Sequence, residues 1–222
     1  MKAAAIIVAG GSGKRFGSQT PKQFLRLCGK PVFMWSIEAF ASLKDFKQVI
    51  LVVPETMESA FKKKYKNSNF TVTSGGKERF DSVKNGLALL DKNIDFVAIH
   101  DAARPLINRQ DILAVLKKAV ENRAAIAAEK TKDTIKTVKD GFVKTTLDRS
   151  VLWNVQTPQI FEASLIKKAY SKKITGNATD DSALIEKSGV KAAIAETKFP
   201  NFKITALPDF ETAKNILSKR KR

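Results

Sequence analysis

The chain has very few of the residues that usually carry covalent or metal chemistry. Of its 222 residues one is cysteine, Cys28, and one is histidine, His100. A lone cysteine excludes an internal disulfide and suits a reducing, cytoplasmic setting. No zinc-finger spacing is present. No apolar run approaches the roughly 20 residues that a membrane span needs. The opening MKAAAIIVAGG has only a short apolar run that feeds a loop, so it reads as a first strand rather than a signal peptide. Internal repeats and low-complexity linkers are also missing, so a single domain over residues 1–222 is expected. Acidic residues are scarce, 22 against 40 Lys and Arg, which gives a net charge of +18. The excess is scattered, with local runs at Lys62-Lys63-Lys64 and in the Lys219 to Arg222 tail. No RNA-recognition motif accompanies it, so nucleic acid is not the expected partner. Attraction of polyanionic small substrates accounts for part of the charge.

What is present is concentrated in the stretch AAIIVAGGSGKRFGSQTPKQ, Ala4 to Gln23. An apolar run breaks into a loop holding Gly10, Gly11, Gly13 and Gly17 together with Lys14, Arg15 and Lys22. Glycines let backbone N–H groups approach an anion, and Lys and Arg add full charges. A P-loop is excluded because Val8 stands where its first glycine must be and Arg15 follows Gly13-Lys14. A dinucleotide fingerprint fits poorly because Phe16 takes its third glycine position.

Apolar runs then alternate with helical patterns. Strands are expected near Lys2–Val8, Gln48–Val53, Phe70–Thr73, Phe96–His100 and Ala124–Ala128. Later ones are expected over Val151–Gln156, Val190–Ala195 and Phe202–Thr205. Helices are expected over Val32–Ala41, with Phe33, Trp35, Ile37 and Phe40 buried, and over Glu55–Tyr65 and Arg79–Leu90. Others follow over Gln110–Asn122, Glu162–Tyr170, from Asp181 to Ser188, and from Pro208 to Ser218. Nearly all-apolar strands alternating with helices predict an α/β fold, a Rossmann-like, mostly parallel sheet with helices on both faces. Residues 130–151 break the rhythm. Polar and apolar residues alternate around Asp140-Gly141, the signature of a hairpin, so a projecting β-arm is expected to pack on a second subunit.

The distinctive residues fall at the carboxyl ends of the expected strands, where open α/β sheets bind ligands. These are the first loop, Ser74-Gly75-Gly76-Lys77-Glu78-Arg79 with Ser82, His100-Asp101-Ala102-Ala103-Arg104-Pro105, Gln156-Thr157-Pro158-Gln159, and Asn201-Phe202-Lys203-Ile204-Thr205. Converging cations and glycine turns point to a phosphate-rich ligand. Bland readings stand beside these. Arg149 could pair with Asp148 at the surface, Lys203 could be a solvated lysine, Asp101 could cap a turn, and Asp180-Asp181 suit helix capping better than metal binding. His100 reads as structural.

The set GGSGKRFG…PKQ, SGGKERFDSV, IHDAARP, KDTIK, DRSVLW, QTPQIF, TDDSALIE and NFKIT resembles the 2-C-methyl-D-erythritol 4-phosphate cytidylyltransferase family over nearly the whole chain. The resemblance implies transfer of a cytidylyl group from CTP to 2-C-methyl-D-erythritol 4-phosphate, in non-mevalonate isoprenoid precursor synthesis. It also implies Mg²⁺ or another divalent cation, and a homodimer whose β-arm reaches the partner's site. By the same resemblance Arg15 and Lys22 stabilise the transition state, while Lys203 and Arg149, the latter from the neighbouring arm, position the acceptor. Thr134 on the arm joins Arg149. Asp101, Ala102, Arg104 and Thr157 complete the substrate pocket. Ala9, Gly10, Gly11, Gly13, Gly76 and Ser82 line the CTP site. No metal ligands are assigned.

Two alternatives stay open at this point. The loop's Ala9-Gly10-Gly11 also occurs in ribitol-5-phosphate cytidylyltransferases, although HDAARP fits the methylerythritol family better. Lys77 stands at a position that is often acidic. A non-enzymatic basic protein that binds nucleotide or RNA is the rival of another class, and the Arg15, Lys22 and Lys203 set argues against it.

Overall fold

The computed structural model describes residues 1–11, 16, 20–171 and 180–220. The chain begins with β1 (Ala3–Val8) and a small ribbon of β2 (Arg26–Leu27) and β3 (Lys30–Pro31), followed by α1 (Val32–Ala41) and β4 (Phe46–Val53). It continues with α2 (Glu58–Lys64), β5 (Thr71–Ser74), α3 (Arg79–Ala88), β6 (Phe96–Asp101), α4 (Arg109–Asn122) and β7 (Ala124–Lys130). A hairpin of β8 (Lys136–Lys139) and β9 (Phe142–Thr146) precedes β10 (Trp153–Glu162) and α5 (Ala163–Ser171). The chain closes with α6 (Asp181–Glu186), β11 (Ala193–Glu196) and α7 (Leu207–Arg220).

Seven strands form one sheet in the order β11-β7-β10-β6-β1-β4-β5. All neighbouring pairs are parallel except those of β10, which runs antiparallel to both β6 and β7. Because side chains alternate along a strand, β1 feeds two cores. Ala3, Ala5 and Ile7 pack with α1 and α4 residues such as Phe33, Phe40, Ile112 and Val115. Ala4 and Ile6 pack with Val83, Leu87, Ile166 and Ile185 of α3, α5 and α6 on the other face. Residues of β1 from Ala3 to Ile7 are therefore buried on both sides, which is why the strand is a continuous apolar run. Gly86 of α3 sits where an added Cβ would come 2.7 Å from Ile6 Cγ2, so its lack of a side chain sets how closely helix and sheet meet.

The order of the strands also places the site. From β1 the chain moves outward through β4 to the edge strand β5, then returns to lay β6 on the other side of β1. From the carboxyl ends of β1 and β6 the chain goes on to strands on opposite sides of this pair, β4 and β7, which makes the β1–β6 boundary the switch point where a crevice opens. A third cluster, Leu27, Val32, Leu106, Ile204, Ala213 and Leu217, seats α7 beside this crevice.

Several expectations are corrected. Thr157-Pro158-Gln159 does not end a strand, since β10 runs through it, with a cis Thr157–Pro158 bond. Proline has no N–H to give, so the ladder to β7 is irregular between Val155 and Gln159 and resumes beyond. Val151 belongs to a single 3-10 turn, Arg149–Val151, rather than to the strand. Phe202–Thr205 is not a strand, and β11 is shorter than expected. Trp35 is only half-buried, with its indole N–H donating to the Leu27 carbonyl and Lys30 Nζ 3.7 Å from the ring centroid. The expected helix over Glu55–Tyr65 is a 3-10 turn, Glu55–Met57, followed by α2.

The β8–β9 hairpin is a two-stranded sheet apart from the main one. Asp140 and Gly141 have φ of 52° and 83°, the doubly positive turn that this dipeptide favours. It carries exposed apolar side chains, among them Phe142 at 79% and Val143 at 63% exposure, on a ribbon with no core of its own.

Candidate active site

A cavity of about 450 Å³ occupies the crevice. Its walls are Val8, Ala9, Gly10 and Gly11 after β1, Lys22 and Gln23, the Gly76–Arg79 turn with Ser82, Asp101 and Ala103 after β6, and Lys203. Four of these side chains, Lys22, Lys77, Arg79 and Lys203, are cationic, against the two acids Glu78 and Asp101. The balance suits a polyanion.

The first wall is shaped by Gln23. Its amide donates to the carbonyls of Ala9 and Gly11, both at 2.7 Å, which ties the loop after β1 to the 3-10 turn carrying Lys22. Both Lys22 and Gln23 are buried. The second wall turns on Ser82. Its Oγ accepts from the Gly76 N–H and donates to the Glu78 carbonyl. Glu78 and Asp81 form a reciprocal capping box at the start of α3, with the Glu78 N–H donating to Asp81 Oδ2 at 3.1 Å. A Cβ on Gly76 would lie 2.2 Å from Asp81 Cβ, so only glycine lets the turn close over this cap.

Asp101 is the electrostatic centre. Lys203 Nζ lies 2.9 Å from its Oδ2, Arg79 Nε 3.4 Å from its Oδ1, and Arg104 Nε 3.8 Å from its Oδ2. Burial alone would raise its carboxyl pKa, but Lys203, Arg79 and Arg104 outweigh it and hold the group well below the usual carboxylate range. One carboxylate thus gathers three cations and leaves positive charge in excess. Arg79 also donates to Asp181 Oδ2 at 2.7 Å, and Tyr170 donates to Asp181 Oδ1. Burial opposes the charge on Arg79, yet Asp181 and Asp101 together push its pKa above the ordinary value.

His100 is fully buried, and burial lowers its pKa from 6.5 to about 4. The Arg104 carbonyl beside Nε2 can only accept, so in the neutral ring Nδ1 carries no hydrogen and accepts from the Thr157 hydroxyl at 3.0 Å, whose oxygen accepts from the Asp101 N–H. The remaining nitrogen, Nε2, then donates to the Arg104 carbonyl at 3.2 Å. Both ring nitrogens are occupied, so this histidine braces the β6 loop and offers no base to the cavity.

Of the residues expected at the site, Ala9, Gly10, Gly11, Lys22, Gly76, Ser82, Asp101 and Lys203 come together on the cavity wall. Gly13 and Arg15 lie outside the described residues. Ala102 is buried with its N–H on the Val8 carbonyl, and Ala103 takes its place in the lining. Thr157 faces His100 and the Asp101 backbone rather than the cavity. Arg104 stands behind Asp101, its Nη1 donating to the Asn201 carbonyl. Thr134 and Arg149 are exposed beside the hairpin, away from the cavity lining. Arg149 makes no ion pair with Asp148. It donates to the Lys132 carbonyl, while Asp148 caps the turn at Ser150. Asp180 caps α6 by accepting from the Ala183 N–H, whereas Asp181 is the buried partner of Arg79. Gln23, Arg79 and Asn201 stand inside the motifs singled out in the sequence, but the sequence assigned them no role at the site, choosing Lys22, Gly76, Ser82 and Lys203 from the same motifs instead.

No group of three or more metal-ligating side chains occurs among the described residues. Both oxygens of Asp101 already face cations. The donor set therefore fits a cation brought in on substrate phosphates better than one held by a protein cage.

A family model for 2-C-methyl-D-erythritol 4-phosphate cytidylyltransferase matches residues 3–219. The enzyme of that name from Endomicrobium trichonymphae is 59% identical over 218 residues, covering 98% of this chain and 99% of the relative. Its namesake from Caldanaerobacter subterraneus subsp. tengcongensis is 40% identical, over 99% of this chain and 100% of the relative. Among solved structures, the 4-diphosphocytidyl-2C-methyl-D-erythritol synthase of Anaerococcus prevotii superposes with a TM-score of 0.85 at 29% identity, covering 98% of this chain and 96% of the other. With the crevice, its walls and these likenesses in agreement along the whole length, the chain belongs to the 2-C-methyl-D-erythritol 4-phosphate cytidylyltransferase family.

Proposed function

We propose that this protein joins CTP to 2-C-methyl-D-erythritol 4-phosphate, giving 4-diphosphocytidyl-2-C-methyl-D-erythritol and pyrophosphate in the non-mevalonate route to isoprenoid precursors. The observation that carries the reading is the cation-rich cavity at the β1/β6 switch, in a chain whose family membership spans residues 3–219. An oxygen of the acceptor's phosphate monoester forms a bond to the α-phosphorus of CTP, and the bond from that phosphorus to the bridging oxygen breaks. Pyrophosphate carries the electron pair away. The monoester is largely dianionic at neutral pH, since its second pKa is about 6, so no strong general base is needed. A site with no histidine facing it is adequate. The demands are charge neutralisation and in-line positioning.

Lys22 and Arg15 are assigned to the charge developing at the α-phosphate. The loop after β1 and the Gly76 turn are assigned to the nucleotide. Lys203, held against Asp101, is assigned to the acceptor phosphate. Mg²⁺ would be held by triphosphate oxygens and water, supplying further neutralisation. The reading includes a cytoplasmic homodimer. The exposed apolar residues Phe142 and Val143 of the hairpin and Val151 of the turn after it support this, since a partner would cover them. Arg149 and Thr134 would then be offered to the neighbouring cavity. Mass-spectrometric detection of the cytidylyl product from CTP and 2-C-methyl-D-erythritol 4-phosphate tests the activity. Absence of that product with folded protein and Mg²⁺ would overturn it.

A further inference from the structure

Lys203 sits on a stretch that no strand ladder holds; its C-terminal end is tied by the Thr205 N–H and hydroxyl to Asp209 Oδ2. Residues 201–205 join no sheet, and the backbone bond that anchors them to the β6 loop is the Ile204 N–H to the Ala103 carbonyl at 2.8 Å. Ile204 is fully buried and fixes the far end of the stretch. The near end is fixed by a side chain. Asn201 is 1% exposed, and its amide nitrogen donates to the Thr157 carbonyl at 2.7 Å and to Gln156 Oε1 at 3.0 Å. Its backbone carbonyl accepts from Arg104 Nη1 at 2.8 Å. The orientation of the amide is not arbitrary, because the Thr157 carbonyl can only accept. The side-chain oxygen of Asn201 is buried and has no hydrogen-bond partner among the described residues, an arrangement that costs free energy.

We propose that Asn201 is a positioning residue for the transfer reaction, setting where the Lys203 ammonium and the Arg104 guanidinium stand relative to Asp101. The proposal rests on the transferase reading above. Asn201 clamps the irregular stretch of β10 to the segment carrying Lys203, doing with a side chain what a strand ladder would otherwise do. It touches neither substrate. It acts through Lys203, two residues on, and through Arg104, both of which contact the same carboxylate. Asparagine suits the place because its short amide reaches two acceptors at once. An aspartate of the same shape would turn a carboxylate toward two oxygens.

The consequence is selective. Displacing Lys203 disturbs the acceptor end of the cavity, while the loop after β1 and the Gly76 turn are held by Gln23 and Ser82 through bonds that do not involve Asn201. In Asn201→Ala the KM for the acceptor rises about 10- to 100-fold, the cost expected of a misplaced positioning group. The KM for CTP stays within about threefold of the parent, a difference below 1 kcal/mol. Gln156→Ala removes one of the two acceptors and gives a smaller shift of the same kind. It also serves should Asn201→Ala fail to fold. In the double variant the effects are not additive, because the pair acts as one unit. Equal rises in both KM values, or an unchanged acceptor KM with only a lower melting temperature, would overturn the proposal. Parent enzyme assayed alongside separates the two claims. Its turnover decides the reaction, and the split between the two KM values relative to it decides the role of Asn201.

Discussion

Lys203 Nζ and Asp101 Oδ2 lie 2.9 Å apart across 102 residues of sequence. The contact joins the end of β6 to a segment outside the sheet, and it holds a half-exposed lysine at the cavity wall. Aiming a cation in this way leaves a charge ready for a phosphate without requiring it to reorganise. Lys203→Ala is expected to lower kcat/KM for the acceptor on the order of 100–1000-fold. The melting temperature should fall little, since the side chain is 39% exposed. Steady-state kinetics with varied acceptor would show this. A near-parental value would remove Lys203 from the reaction.

His100 gives a pH signature of stability. Its pKa in the folded protein is about 4 against an ordinary 6.5, because burial disfavours the charged ring. Between these values the unfolded chain binds the proton and the folded chain does not. Stability therefore falls as pH drops from about 6.5 to about 4, by about 3 kcal/mol in all. Asp101 has the opposite kind of group and a lower window. Its depressed pKa contributes stability above the ordinary carboxylate value of about 4, lost only below it. Thermal unfolding followed from pH 7 to pH 4.5 should show the slope in the parent and a shallower one in His100→Asn. An identical slope in both would contradict the assignment.

Arg79→Met leaves Asp181, whose side chain is fully buried, without its cation. Breaking a buried pair on one side costs about 3–5 kcal/mol, so this variant should be among the least stable single substitutions at the site. Adding Asp181→Asn removes the stranded charge and should recover a good part of the loss. Denaturant melts of the two single variants and the double variant read the coupling directly. Simple additivity would mean that the pair does not act as one.

The hairpin predicts sharing of sites between subunits. Arg149→Ala and Lys22→Ala homodimers should each be poorly active. A mixture allowed to exchange subunits should regain activity, because one of the two cavities in a mixed dimer keeps both residues. No recovery after demonstrated exchange would place Arg149 outside the neighbouring cavity.

The sheet was legible because its strands are buried on both faces. Ala3 to Val8 and Gln48 to Val53 can hardly be read otherwise, although β4 starts two residues earlier at Phe46, and Asp140-Gly141 names its own turn. Strand β10 was harder to read. Its tripeptide Thr157-Pro158-Gln159 carries the local chemistry of a break, yet pairing with β6 and β7 on either side carries the strand through. Phe202–Thr205 has the composition of a strand and lacks a neighbour to pair with, which no local pattern records. At the site, glycines and cations were visible as motifs. The residues that orient them were not. Gln23, Arg79 and Asn201 act on partners 14, 22 and 44 positions away, and such pairings exist only once the chain is folded.

The most direct test is pyrophosphate release from CTP and Mg²⁺ with each of two acceptors, 2-C-methyl-D-erythritol 4-phosphate and ribitol 5-phosphate. Release with the first and not the second is the predicted result, and it would make the Ala9-Gly10-Gly11 loop a harmless variant. Release with ribitol 5-phosphate alone would contradict the account and move the protein to polyol phosphate transfer.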